Sequence, residues 1–249
     1  MSALLLALTA GALIGLALGA LGGGGSVLAV PALIYLLGFT PVAATTASLI
    51  IVTLTSAAAL FAHARDGHVR WRTGLLFAAA GIGPAMLGGA LAGRLPPAVL
   101  TAAFAFVAAV AATRMLRTGP APGAPAPVRP GRAAATGAGL GAVTGVLGVG
   151  GGFLAVPALV GALGLRMRAA VGTSLLVITV NSLAALVMRA GPADALDWAV
   201  VAPFAGAAIL GAWDGGRLAA KVSADTLRRI FATVLLAVAA FMLIDAVSR

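Results

Sequence analysis

Cysteine is absent from the chain, and so is glutamate; the only acids are six aspartates, and there are two histidines and one tyrosine. Without cysteine there is no disulfide, thiolate metal site or cysteine nucleophile, and the redox compartment is left open. Only 9% of the 249 residues are charged, where a water-soluble domain carries about a quarter, so water is not the solvent of this chain. A cation exporter is expected to line its path with carboxylates, and the scarcity of acids counts against one. His63 and His68 flank Arg65 and Asp66 in a loop with no third ligand in sight, which favours interfacial residues over a metal centre. No metal or cofactor is expected.

What is abundant is apolar. Hydrophobic residues make up 61% of the chain, and mean hydropathy is +1.12. Apolar runs of about 18 to 25 residues recur, the length needed to cross ~30 Å of hydrocarbon as helix. The ~10-residue alternation of barrel strands is missing. The expectation is an all-α polytopic membrane protein with the lipid bilayer as its partner. The formal net charge of +10 comes from basic residues scattered between apolar runs rather than gathered on a polar domain, so they read as topology determinants and no nucleic-acid partner is expected.

The chain repeats itself. Gly15 to Ala64 aligned without gaps on Gly141 to Ala190, at a constant offset of 126, is identical at 24 of 50 positions. Gly22, Gly24, Gly25, Leu28, Ala29, Val30 and Pro31 match Gly148, Gly150, Gly151, Leu154, Ala155, Val156 and Pro157 in order. In each copy an apolar segment breaks at a glycine cluster and restarts toward a proline. The first 20 residues resemble a signal peptide, but their counterpart lies inside the chain, so they are read as a retained helix.

Helices are expected at 3–20, 26–37, 42–62, 73–92 and 98–116, and again at 133–148, 152–163, 170–188, 198–218 and 227–247. Residues 1–117 then form one transmembrane repeat, 133–249 the second, and the Pro/Gly-rich stretch 118–132 an extended linker. If the short pieces 26–37 and 152–163 cross the membrane, 13 of the 16 basic residues fall on one side and only Arg94, Arg189 and Arg249 on the other. If they are re-entrant, the split is 9 against 7. The positive-inside rule favours the first case, an odd number of passes per half with both termini outside. That makes the repeats inverted. Against it, a piece of 12 residues covers only about 18 Å as helix, so the segment count stays at about 8 to 10.

Non-helical backbone at membrane depth is tolerated where protein buries it or where it lines a watery cavity. Gly22, Gly23, Gly24 and Gly25, and Gly148, Gly150, Gly151 and Gly152, are therefore candidates to face a cavity. The restarted helix beyond each cluster offers free N–H groups and the positive end of its dipole, which suits an anion. Ser26 adds a hydroxyl at the first restart, and no Gly-Lys-Ser/Thr follows to make a P-loop. Close helix packing is the plainer reading of the same glycines. The next helix of each copy carries Thr45, Thr46, Ser48, Thr53, Thr55 and Ser56 against Thr173, Ser174, Thr179, Asn181 and Ser182. Hydroxyls can satisfy themselves on their own helix; the Asn181 amide needs a neighbouring helix, water or a ligand. Ser48, Ser174 and Asn181 are taken as substrate-site candidates. Asp214, three residues from Arg217 in an apolar run, is the coupling candidate, with a local ion pair as its plainer role.

The doubled motif Gly15, Gly19, Gly22, Gly24, Gly25, Pro31 and Gly141, Gly145, Gly148, Gly150, Gly151, Pro157, with Ala44–Ser48–Leu49 and Ala170–Ser174–Leu175 on the helix after each, resembles the sulfite exporter TauE/SafE family. The resemblance covers nearly the whole chain outside the linker. It implies a multi-pass secondary transporter of the bacterial inner membrane for small sulfur-containing or organic anions, working by alternating access between the repeats. Proton or sodium coupling and a homodimer are compatible with it. A passive anion channel or uniporter would share the same lining. An intramembrane hydrolase would need a base beside its nucleophile, and no histidine lies within an apolar run and no Gly-x-Ser-x-Gly surrounds Ser26.

Overall fold

In the computed structural model, described over residues 2–22, 28–30, 32–92, 97–117, 129–147, 152–188 and 197–248, the apolar runs are helical and no strand occurs among the described residues. The first half supplies α1 (Ser2–Leu21), α2 (Ala32–Leu36, wound as a π-helix), α3 (Pro41–Arg65), α4 (Trp71–Ala92) and α5 (Pro97–Arg117). The second supplies α6 (Pro130–Leu147), α7 (Gly152–Gly161), α8 (Met167–Met188), α9 (Trp198–Lys221) and α10 (Ala224–Ser248). Four helices among the described residues, within α1, α3, α8 and α9, are long and apolar enough to cross a membrane. Leu13, Leu87, Phe106, Leu210 and Ile244 stand 68% to 75% exposed, an arrangement that lipid tolerates and water does not.

Prolines set three of the helix starts. Pro41, Pro97 and Pro130 each open a helix, the position where a missing N–H costs nothing. Pro130 thereby draws the last residues of the expected linker into the first turn of α6. Thr40 caps α3 by accepting from the Ala43 N–H at 3.3 Å. The short helices end alike: Phe39 N–H donates to Leu33 O and Gly38 N–H to Ile34 O at 3.0 and 3.2 Å, while Leu165 donates to Leu159 O and Gly164 to Val160 O at 3.0 and 3.1 Å. Both are αL caps, the glycine N–H closing on the carbonyl four residues back with the glycine in the left-handed region, φ +70° at Gly38 and +66° at Gly164. These caps lie 126 residues apart (164 − 38), the offset of the sequence repeat.

The most extensive packing joins the halves rather than lying within either: α1 on α9, α4 on α6, α5 on α10 and α3 on α8. Lipid tails are as apolar as leucine, so helices gain nothing here from leaving water and associate through close contact of small residues. Accordingly Gly11, Gly15 and Gly19 of α1 abut the carbonyl oxygens of Phe204, Ala208 and Ala212 in rising order, so α1 and α9 run parallel. Gly137 and Gly141 of α6 abut the carbonyls of Phe77 and Gly81 of α4 in the same parallel way. A Cβ at any of these glycines would fall on backbone.

The ends of the helices fix the path of the chain. His63 Nε2 lies 3.2 Å from the Gly19 carbonyl oxygen, so α1 and α3 finish at the same end of the bundle, and residues 28–40 return the chain to the opposite end. The second half does the same in mirror order. α4 and α6 start at the end where α3 finishes, and α8 also starts there, since the Arg70 N–H donates to Thr173 Oγ1 at 3.1 Å. The α7 segment makes that return.

The backbone contact predicts unequal costs for adding one methyl group. Gly15→Ala should lower stability in detergent by about 1 to 3 kcal/mol, the usual cost of overpacking, whereas Gly206→Ala, whose Cβ meets nothing within 4 Å, should not. Thermal unfolding of the two variants side by side checks this, and equal midpoints would count against it.

Candidate functional site

Helices α3 and α8 carry most of the buried hydroxyls, and the reason they stay helical is local. Thr53 Oγ1 donates to Leu49 O at 2.7 Å, Thr55 to Ile51 O at 2.6 Å and Ser174 Oγ to Val171 O at 2.7 Å. Each hydroxyl is thus satisfied by the turn behind it. Near the middle of both helices the two are tied together: Thr179 Oγ1–H donates to Ser56 Oγ at 2.9 Å, with the Leu175 carbonyl also in reach at 2.8 Å. Ser48, Thr55, Ser56, Thr173, Ser174 and Ser182 are all buried. The pair therefore forms a polar seam enclosed by apolar helices.

Two features of the seam are unfinished. Asn181, seven residues beyond Ser174 and two beyond Thr179 toward the far end of α8, has its Oδ1 buried with no hydrogen-bond partner, whereas Thr53, Thr55, Ser56, Ser174 and Thr179 are bonded. An amide can present either its oxygen or its NH2 to a ligand by half a turn about its last torsion, and no internal bond at the oxygen holds Asn181 in one orientation. The other feature is the end of α1. Gly22 donates its N–H to Leu18 O at 2.8 Å and then turns out of the helix at φ +77°. There it lies against α8, so that a Cβ would sit 2.6 Å from Ser174 Oγ and 2.9 Å from Val171 Cα. The structure thus brings together two of the expected site residues, Gly22 and Ser174.

The other expected residues divide. Gly23, Gly24, Gly25 and Ser26, and Gly148, Gly150 and Gly151, lie outside the described residues. Gly152 is the first residue of α7. Ser48 is buried on α3. Asp214 faces outward, its side chain 70% exposed and 3.6 Å from the Arg217 guanidinium, which also lies 5.9 Å from the centre of the Trp213 ring. That is the surface ion pair the sequence offered as its plainer role.

Sequence reasoning undervalued one residue. His63, read as interfacial, is only 6% exposed. It follows Ser56 and Ala59 at spacings of seven and four on α3, and all three are buried on one face, a stripe that could have been read from the periodicity. Its ring and that of His68 are 6.1 Å apart, and among the described residues no group of three or more His, Cys, Asp or Glu is placed to hold a metal ion. Nearby, Arg168 Nη2 donates to Ala220 O at 3.0 Å and Val222 O at 3.3 Å, closing the carbonyl end of α9.

Comparison with known proteins agrees with this architecture. Residues 7–242 match the model of a family described as sulfite exporter TauE/SafE. Two curated relatives, both called "Probable membrane transporter protein" and coming from Xylella fastidiosa strains 9a5c and Temecula1 / ATCC 700964, are each 36% identical, covering 96% of this chain and 95% of theirs. No solved structure matches the chain.

The Gly22 contact makes a pairwise prediction. Gly22→Ala should destabilise the protein, because the left-handed backbone alone costs an alanine about 1 to 2 kcal/mol and the added methyl meets Ser174. Ser174→Gly in the same chain should recover part of the loss in thermal unfolding, and strictly additive effects would show that the two residues do not touch.

Proposed function

Because the chain belongs to the sulfite exporter TauE/SafE family of membrane transporters, we propose that it is a secondary transporter of a small oxyanion, sulfite or an organosulfonate, in the bacterial inner membrane. Two homologous repeats, 1–117 and 133–249, cross the membrane five times each in opposite orientation, with both termini outside. Support comes from the offset of 126 in sequence, from the matching caps of α2 and α7, and from the exchange of partners in which α1 on α9 is answered by α6 on α4. The same ten-pass path puts most basic residues at the end where α1, α3 and α9 finish.

The binding site lies between the repeats, along the seam of α3 and α8 and beside the glycine breaks. The observation that carries this is the buried, unpartnered amide oxygen of Asn181 in a seam whose hydroxyls are otherwise bonded. The Asn181 NH2, once the amide is turned toward the site, the Ser26 hydroxyl and backbone N–H groups can complete a shell of donors around an oxyanion, with no carboxylate among them to oppose it. Alternating access follows if the two halves, whose largest contacts are with each other, rock about this seam. Coupling to a proton or sodium gradient makes the protein a concentrating secondary transporter, and its absence makes it a channel or uniporter.

Sulfite flux into proteoliposomes tests the reading. Asn181→Ala and Ser26→Ala should each cut flux about tenfold or more, equivalent to one lost hydrogen bond to a charged ligand at roughly 1.5 to 3 kcal/mol, while Asp214→Asn should stay near wild type. An imposed pH gradient should drive accumulation; mere equilibration would identify a channel, and full flux in both site variants would remove this site from consideration.

A further inference from the structure

At the end of the bundle where α1 and α3 finish, a small, partly open cavity is lined by α1, α3, the α3–α4 loop, α8, α9 and α10, with His63, Asp66, His68 and Arg168 among its walls. Its volume of about 10 Å3 admits one water and no more. What it can hold is a water that carries a proton.

His63 is the group such a water would serve. Its Nε2 faces the Gly19 carbonyl at 3.2 Å, and a carbonyl can only accept, so Nε2 carries the ring's N–H. The other ring nitrogen, Nδ1, is buried and has no partner. A neutral His63 therefore keeps a bare lone pair inside the protein, next to a cavity sized for one water. We propose that His63 is a proton-binding group, charged through this cavity from the basic end of the bundle, and that the end of α1 at the glycine break responds to its charge.

The step is simple in atoms: the cavity water takes up a proton from the basic side as it gives one to Nδ1, so the water ends neutral and the ring becomes an imidazolium with both N–H groups engaged. The Nε2–H bond to Gly19 then becomes charge-assisted and shorter. Gly19 lies in the last turn of α1, three residues before Gly22, and its carbonyl belongs to the negative end of the helix dipole, which also favours the cation. The charged and titratable groups that face His63 across the cavity wall are Asp66, His68 and Arg168. Arg168 is held by the Ala220 and Val222 carbonyls. The wall contributed by α1, α9 and α10 consists of Ala20, Gly216, Ala219, Ala220 and Leu227 and adds no titratable group.

The chain has only two histidines, which makes the site directly observable. In full-length His68→Gln protein labelled with 13C-histidine in lipid nanodiscs, His63 alone gives ring signals. As the pH is lowered from about 8 to about 5, the range in which histidine ordinarily changes charge, those signals should move in one titration; ring signals unchanged over that range would overturn the proposal. The functional consequence rests on the anion-transport reading given above. Wild-type sulfite flux should change about tenfold across the same range. His63→Gln, whose amide can still donate to Gly19, should remain folded and lose that dependence; a wild-type pH profile in His63→Gln would refute the coupling. Absence of sulfite flux in the wild type at every pH would instead refute the transport reading, and the ring titration would still decide the proton site.

Discussion

Hydrocarbon cannot satisfy a free backbone group, and a helix that stops inside the bilayer exposes several. Everything in this bundle is arranged around that constraint. The end of α1 is closed on two sides, by Ser174 and Val171 of α8 against Gly22 and by His63 of α3 on the Gly19 carbonyl. The end of α9 is closed by Arg168. The end of α1 is closed by α3 and α8 and the end of α9 by α8, so these helix ends are complete only in the assembled bundle.

Such closure requires helices to approach closely, and that explains where the glycines are spent. The parallel contacts of α1 with α9 and of α4 with α6 are backbone on backbone, through glycines spaced by four. They bring the last turn of α1 to α3 and α8 and leave the hydroxyl-bearing helices α3 and α8 face to face. With the four broadest contacts all running between the halves, neither half has a complete interior without the other. A site placed at that junction is also where relative movement of the halves would be felt.

Much of this was legible in the sequence, because the relevant signals are strong and local. Hydropathy and length gave the helices, and the two short helices end in caps spaced by the offset of 126 read in the sequence. Gly22 and Ser174 were both singled out, although only the fold shows that they touch. The Asn181 amide was recognisable as a group that hydrocarbon would not leave unpaired. What stayed hidden depended on which helix faces which. A glycine at every fourth position announces a close contact without naming its partner, so the pairing of α1 with α9 was invisible. The burial of His63 follows from that pairing, since it is the end of α1 that covers the ring. Asp214 misled in the opposite direction: an acid in an apolar run looks enclosed in one dimension, yet α9 turns it outward beside Arg217.

The central claim is that the α3–α8 seam around Asn181 is reached alternately from the two sides of the membrane by an anion. The native chain has no cysteine, so Ser182→Cys, at a buried position next to Asn181 on α8, creates a single thiol in an otherwise unreactive protein. Its labelling by a membrane-impermeant thiol reagent, applied from one face of oriented vesicles and then the other, is the most direct test. The account predicts labelling from both faces, slowed by sulfite on each. A thiol that reacts from neither face, or at a rate indifferent to sulfite, would contradict it.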